Sequence, residues 1–378
     1  MMLINFSNQI AAGPKNISKN FIEQCLIHKA NERFFFIIPD IDDFSMYNDT
    51  HSIKFLRVNR IANYFGGAGV AIFVNLFLIP KLLKEYEFRT ILAFGNFLLP
   101  KFSGTKVVLL HHPYIVDDEL FNSVSKLKKL SETIKRLAFR YTVKNVSKIV
   151  VQSTYMKNAF VKHYPHEACK VEIIHNPISS AFIGAFSGRE ANYRKNDTFK
   201  LIYVSRFYPH KNHSFLIDVA RELSNRKANV TISVTLDLNI LGVKDFLNTV
   251  EKENLPIINI FELPQAELVR HYSEHNAVIF PSESETFGNP LVEALFFGLP
   301  AVVPRKLYTE SILGDCGVYY ESNDIDSCIQ SILKIQNNRD LYLSYSAMSL
   351  AHSSLYPNPK TWFDCYYSLL DGNFHEQR

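Results

Sequence analysis

The feature that most constrains this chain is an alternation of short, unbroken apolar runs with longer amphipathic stretches, repeated in two series. The first series falls at 3–6, 34–38, 90–94, 106–110, 148–151 and 171–174, and the second at 200–204, 230–234, 257–261, 277–280 and 301–303. Short runs rich in Val, Ile and Phe suit parallel strands covered on both faces. Between them the spacing turns helical. Over 211–223, Phe215, Leu216, Val219, Ala220 and Leu223 form one apolar stripe. Strands alternating with helices predict βαβ units and parallel sheets. A polar stretch, HNPISSAFIGAFSGREANYRKNDT, separates the two series and carries the break signal Asn176-Pro177. The expected architecture is α/β, with two doubly wound domains, 1–176 and 177–355, facing across a cleft. Residues 356–378 are expected to form a helix that packs back on the first domain. Such sheets bind ligands outside the carboxyl ends of their strands, so the chemistry is expected in the loops that follow the runs.

Composition narrows the class. With 47% hydrophobic and 21% charged residues over 378 positions, the chain is a folded globular protein and not a disordered one. A formal net charge of +4 is too small to argue for a nucleic-acid partner, and none is expected. The cysteines Cys25, Cys169, Cys316, Cys328 and Cys365 are odd in number, scattered and without a C-x-x-C pair. That points away from a disulfide framework or zinc site and toward a reducing, cytoplasmic compartment. The opening MMLINFSNQI has neither the basic nor the long apolar region of a signal peptide. The apolar stretch 70–79 contains Asn75 and stops at Pro80, well short of the ~20 residues that span a bilayer.

Three strings carry chemistry. In FPSESETFGNPLVEALFFGLPAVVP a strand ends at Phe280 and a loop leads into a helix. Asn289 is expected to cap that helix, with Pro290 in its first turn. Gly288 lacks a Cβ, so a ligand can approach the backbone beside Phe287, and the positive end of the helix suits a diphosphate. Glu285 and Glu293 suit hydroxyls of a sugar and a ribose, since a carboxylate only accepts hydrogen bonds. Each acid alone would pass for a solvated surface residue; the surrounding string favours a site. In SRFYPHK, Arg206 and Lys211 follow a strand and open a helix, where two cations can neutralise a leaving diphosphate. In KVVLLHHPYIV a strand ends at His111 and His112, either of which can present an imidazole to a ligand or serve as a structural hydrogen-bonder. A further segment places Lys126, Lys128, Lys129, Lys135, Arg136, Arg140, Lys144 and Lys148 against the single acid Glu132. It is either a solvated helix or a docking face for an anionic membrane, which would make the protein peripheral on the inner face.

Taken together, Arg206 and Lys211, the E-x(7)-E pair Glu285 and Glu293, and the following GLPAVV resemble the family 4 glycosyltransferases. Weaker matches lie in VQSTYMKNAF, VEIIHNPIS and ELPQAELVRHYSEHNAVIFPS, so the resemblance covers about 148–320. It implies the GT-B fold of two Rossmann-like domains, a retaining mechanism, no metal and no cofactor. The implied partners are a nucleoside-diphosphate sugar and a glycan or lipid-linked acceptor of surface polysaccharide or lipopolysaccharide. It further implies that Arg206 and Lys211 bind the diphosphate, Glu293 the ribose and Glu285 the transferred sugar. His111 would touch that sugar from the first domain, and Gly13 would lie near the phosphates. This chain departs from the pattern in three places. VTLDLN replaces the usual glycines after 230–234, Glu262 stands where Gly is common, and Gly13-Pro14 replaces Gly-Gly. Competing readings are a D-x-D metal-dependent transferase using Asp40 and Asp42 or Asp324 and Asp326, a nucleotide-sugar epimerase of the same fold, and a non-catalytic sugar-binding subunit.

Overall fold

The computed structural model describes residues 1–10, 12–29, 31–58, 66–185 and 198–371. The chain divides into two compact units: Met1–Asn176 together with the chain from Pro359 onward, and Pro177–Asn358. Half of the polar stretch between the series, 186–197, lies outside the described residues.

The first unit is built on seven strands: β1 (Met2–Asn5), β2 (Phe34–Pro39), β3 (Ile53–Val58), β4 (Thr90–Ala93), β5 (Thr105–Leu109), β6 (Lys148–Val151) and β7 (Val171–Ile173). They pair in parallel in the order β3-β2-β1-β4-β5-β6-β7. Side chains alternate between the faces of the sheet. Met2, Ile4, Phe34 and Phe36 enter one apolar layer, while Leu3, Phe35 and Ile37 enter the other. The first layer is completed by the helix Pro359–Asp371, which returns to this unit. Its Trp362 and Phe363 meet the ring of Phe21 edge-on, with centroids 5.9 and 5.1 Å away, and Tyr366 stacks on Phe94 at 5.2 Å.

The second unit holds six parallel strands: β8 (Phe199–Tyr203), β9 (Val230–Val234), β10 (Ile257–Asn259), β11 (Ala277–Ile279), β12 (Ala301–Pro304) and β13 (Gly317–Tyr320). Their order is β10-β9-β8-β11-β12-β13. The chain winds outward from β8 in both directions, so the switch point lies between β8 and β11. In the first unit it lies between β1 and β4.

Two strands lie outside the predicted runs. β3 carries Lys54 and Arg57 and is only half-covered at the edge of its sheet. β13, GVYY, is short and also an edge strand. β10 stops at Asn259, short of the predicted 261, where Phe261 turns left-handed with φ 63°. The basic segment is a helix only over Lys126–Asn145, and Lys148 opens β6 instead. Among the described residues, no helix is long and apolar enough to cross a membrane.

Candidate active site

The loops after β8 and β11 meet at the switch point of the second sheet, the place where doubly wound folds bind ligands. After β8 the chain makes a short 3-10 turn, Pro209–Lys211, then passes left-handed Asn212 (φ 54°) into the helix His213–Asn225. The Tyr203 hydroxyl donates to the Lys211 carbonyl at 2.7 Å, which fixes the backbone under the lysine. The loop after β11 is sewn to this turn. Glu283 N donates to the His210 carbonyl at 2.7 Å, and Ser282 Oγ reaches the same carbonyl at 3.2 Å.

This stitching places Lys211 Nζ on Glu285 Oε1, which also accepts from Ser282 Oγ at 2.7 Å. The two charged side chains are only 16% and 14% exposed, so each needs the other: removing one partner of a largely buried pair leaves an uncompensated charge. Beside them, Glu283 takes Lys306 Nζ at 2.7 Å and Asn212 Nδ2 at 3.2 Å. Sequence reasoning picked out neither Ser282 nor Lys306.

Arg206 lies in the same loop, with Nη2 donating to Glu262 Oε1 at 2.7 Å. Glu262 is the acid that stands where the family often has glycine, and it supplies the arginine's counter-ion. Among the described residues, Arg206 Nε is buried without a hydrogen-bond partner. A buried unmatched donor on a guanidinium is costly unless an acceptor arrives. The VTLDLN loop does without glycines because Asn259 organises it. Its Oδ1 accepts from Leu236 N at 2.9 Å and Phe261 N at 3.0 Å, and its Nδ2 donates to the Leu236 carbonyl at 3.1 Å.

The helix beyond the loop, Asn289–Phe296, corrects one expectation. Asn289 is its first helical residue, and the cap position belongs to Gly288, at φ 81° and ψ 65°. The left-handed backbone explains this: glycine adopts it without strain, and the chain enters the helix one residue earlier than an Asn cap would allow. Pro290 sits in the first turn as predicted. Phe287 is buried, its ring edge-on to Tyr356 at 5.8 Å.

Glu293 lies one turn into this helix and accepts from the Tyr272 hydroxyl at 2.5 Å. Burial pushes its carboxyl up to about 7, against the smaller lowering effect of that hydrogen bond. The folded pKa lies above the unfolded value near 4.5, so the native state holds more protons between about pH 4.5 and 7. Stability therefore falls as pH rises through that window, and the full penalty applies above it. Glu293→Gln, which carries no charge and keeps an acceptor for Tyr272, is expected to stabilise the ligand-free protein by ~1–3 kcal/mol at pH 8. The gain should vanish by pH 4.5. Thermal melts at the two pH values check this, and a pH-independent difference would contradict a buried, raised carboxyl.

In the first unit, His111 and His112 part ways. His112 Nε2 meets Glu132 Oε2 at 2.7 Å, and Lys135 Nζ donates to Glu132 Oε1 at 2.8 Å. Burial opposes ionisation of Glu132, yet these two hydrogen bonds hold its carboxyl down at about 2. His112 is thus the structural histidine. His111 follows β5, with its backbone N–H on Asn96 Oδ1 at 2.8 Å and its Nε2 3.4 Å from Asn96 Nδ2. Burial, aided by His112, lowers its pKa to about 4, so the ring is neutral near pH 7. Gly13 is the second residue of the helix Ala12–His28, just beyond β1 at the first sheet's switch point. His111 and Gly13 belong to the first unit, while Arg206, Lys211, Glu285, Gly288 and Glu293 belong to the second.

Comparison with known proteins gives this arrangement its class. The structure of WaaG, a glycosyltransferase involved in lipopolysaccharide biosynthesis, matches 98% of this chain and all of its own with a TM-score of 0.73 at 14% identity. Anabaena Alr3699/HepE, solved in complex with UDP and glucose, matches 98% of this chain and 99% of its own with a TM-score of 0.68 at 15% identity. The O-antigen chain mannosyltransferase RfbU of Salmonella typhimurium is 22% identical over 67% of this chain and 69% of its own length. Two parallel α/β sheets of this kind have the GT-B architecture of these structures. Residues 187–348 match the family described as glycosyl transferases group 1.

Proposed function

We propose that this glycosyltransferase is a metal-independent, retaining hexosyltransferase. It takes its sugar from a nucleoside-diphosphate donor and transfers it to a glycan or lipid-linked acceptor in surface polysaccharide or lipopolysaccharide synthesis. The observation that carries the reading is the cation cluster at the β8/β11 switch point, where Lys211 is held by Glu285 and Arg206 keeps a buried, unmatched Nε. As the bond from the sugar to the diphosphate breaks, negative charge gathers on the departing phosphate. Two fixed cations and the positive end of the helix Asn289–Phe296 stabilise that charge most in the transition state. Glu285 positions Lys211 and accepts hydrogen bonds from the moving sugar. Glu293 accepts from the ribose, and Gly288 lets the phosphates approach the backbone. In the first unit, neutral His111 is a candidate sugar ligand and Gly13, in the first turn of its helix, a candidate phosphate contact. The reading needs no cofactor beyond the donor, no nucleic acid, and a cytoplasmic setting where nucleotide sugars are available. Two similar proteins support it, one an O-antigen chain mannosyltransferase and one solved with UDP and glucose.

The test is donor hydrolysis and transfer by the purified chain across a panel of nucleotide sugars, with the anomeric configuration of the product read by NMR. Turnover is expected to survive EDTA. Complete loss on chelation, restored by manganese or magnesium, would replace this reading with a metal-dependent one.

A further inference from the structure

The helix Lys126–Asn145 has two apolar faces. Its inner face, with Phe139, Thr142 and Val143, is buried against the first sheet. Its outer face carries Leu127, Leu130, Ile134, Leu137 and Tyr141, which are 88, 65, 60, 62 and 44% exposed. These positions follow one another by three and four residues, so they line a single stripe opposite the buried face. Soluble monomers rarely leave so long an apolar stripe open without a partner.

A second exposed apolar face lies beside it. The helical segment Gly66–Glu85 presents Ile72, Phe73, Leu76 and Phe77 to solvent, the two phenylalanine rings stacked at 6.2 Å. Its inner side packs into the same apolar layer as Phe139 and Val143. Consecutive residues tie the two helices together: Leu98 N donates to Thr142 Oγ1 at 3.3 Å, and Leu99 N to Asn75 Oδ1 at 3.0 Å.

The charges around the stripe select its occupant. The only acid in the helix, Glu132, is 2% exposed and already holds His112 and Lys135. Arg136 is engaged inward by Asp118 at 2.6 Å and by the Tyr114 and Asp117 carbonyls. Lys126, Arg140 and Lys144 remain as exposed cations along one flank of the stripe, with no acid on the helix to oppose them. Two copies joined through this stripe would bring like charges together, without the opposite charges that usually flank such seams.

We infer that this face docks on an anionic lipid surface, with the outer stripe and the Phe73–Phe77 pair entering the headgroup–acyl boundary and the cations lying on lipid phosphates. An in-plane amphipathic helix with a cationic margin combines these two attractions. The surface lies wholly in the first unit and requires none of the donor-site assignments.

Flotation of the full chain with vesicles tests it. The protein should float with phosphatidylcholine vesicles containing 30% phosphatidylglycerol at low salt and much less with pure phosphatidylcholine. Replacing Lys126, Arg140 and Lys144 by Gln should weaken partitioning about fivefold per charge, on the order of 100-fold together. Leu130→Ser/Ile134→Ser/Leu137→Ser should abolish flotation while leaving donor hydrolysis and the melting temperature unchanged, because these side chains touch solvent and not the core. Wild-type protein that ignores anionic vesicles at low salt would overturn the inference. So would a stable dimer in solution that the triple Ser variant dissociates, which would assign the stripe to a second copy of the chain.

Discussion

Lys211→Ala and Arg206→Ala are each expected to lower turnover by about 100-fold or more, the scale seen when a preorganised stabiliser of transition-state charge is removed. The structure gives the two losses different routes. Lys211 is the cation beside Glu285, and removing it leaves that carboxylate with the Ser282 hydroxyl and a net negative charge where the diphosphate is proposed to lie. The alanine variant therefore loses an attraction and gains a repulsion. Arg206 is shared with Glu262 across a pair that is 32% and 40% exposed, so its link is looser and more open to exchange. Donor phosphate would compete with Glu262 for the guanidinium and meet the unmatched Nε. Glu262→Gly removes the competitor, and this variant should keep turnover while binding nucleoside diphosphate more tightly than wild type. Steady-state kinetics on the three variants, with calorimetric titration of nucleoside diphosphate, decide the matter. Near-normal turnover in both alanine variants would remove these residues from the site.

The sequence made the central strands legible and left two of the four edge strands, β3 and β13, obscure, for a physical reason. Strands buried on both faces need continuous apolar runs, and β2, β11 and β12 have them. The edge strands β3 and β13 lie at the ends of their sheets, and β3 carries charged side chains such as Lys54 and Arg57, so they blend into the loops. Site residues were legible where they follow a strand locally, as Arg206, Lys211 and Glu285 do. Their partners were not. The links from Arg206 to Glu262, Lys211 to Glu285 and His112 to Glu132 span 56, 74 and 20 residues, and no local pattern records which loops a fold will bring together. Local chemistry also misled once. Asn289 has the composition of a helix cap, but a glycine able to take φ 81° stood just before it and claimed the position. The basic helix was visible as charge alone. Its outer apolar stripe became distinct only when the fold fixed which side was buried.

The two glutamates are expected to separate by the ligand each one serves. Glu293 is anchored in a helix, bonded to Tyr272, and raised toward neutrality by burial. A bound ribose would add hydroxyl donors to this carboxylate, and hydrogen bonds to a charged acceptor contribute ~1.5–3 kcal/mol each. Nucleoside diphosphate binding should therefore favour the ionised form, and affinity in wild type should weaken as pH falls below 7. Glu293→Gln cannot gain that charge. It should bind both donor and nucleoside diphosphate more weakly at pH 8, even as the ligand-free protein becomes more stable. Glu285 is held in the loop by Lys211 and Ser282, in contact with a group proposed to meet the diphosphate. Its free acceptor capacity is directed to the moving sugar in this reading. Glu285→Gln should lower turnover without weakening nucleoside diphosphate binding, with a modest rise in mobility at Lys211 as its ion pair becomes a neutral hydrogen bond. Calorimetry of both variants with donor and with nucleoside diphosphate, at pH 6 and pH 8, separates the roles. Loss of nucleoside diphosphate affinity in Glu285→Gln but not in Glu293→Gln would reverse the assignments. No change in binding or rate in either variant would mean that the paired carboxylates serve the fold and not the donor.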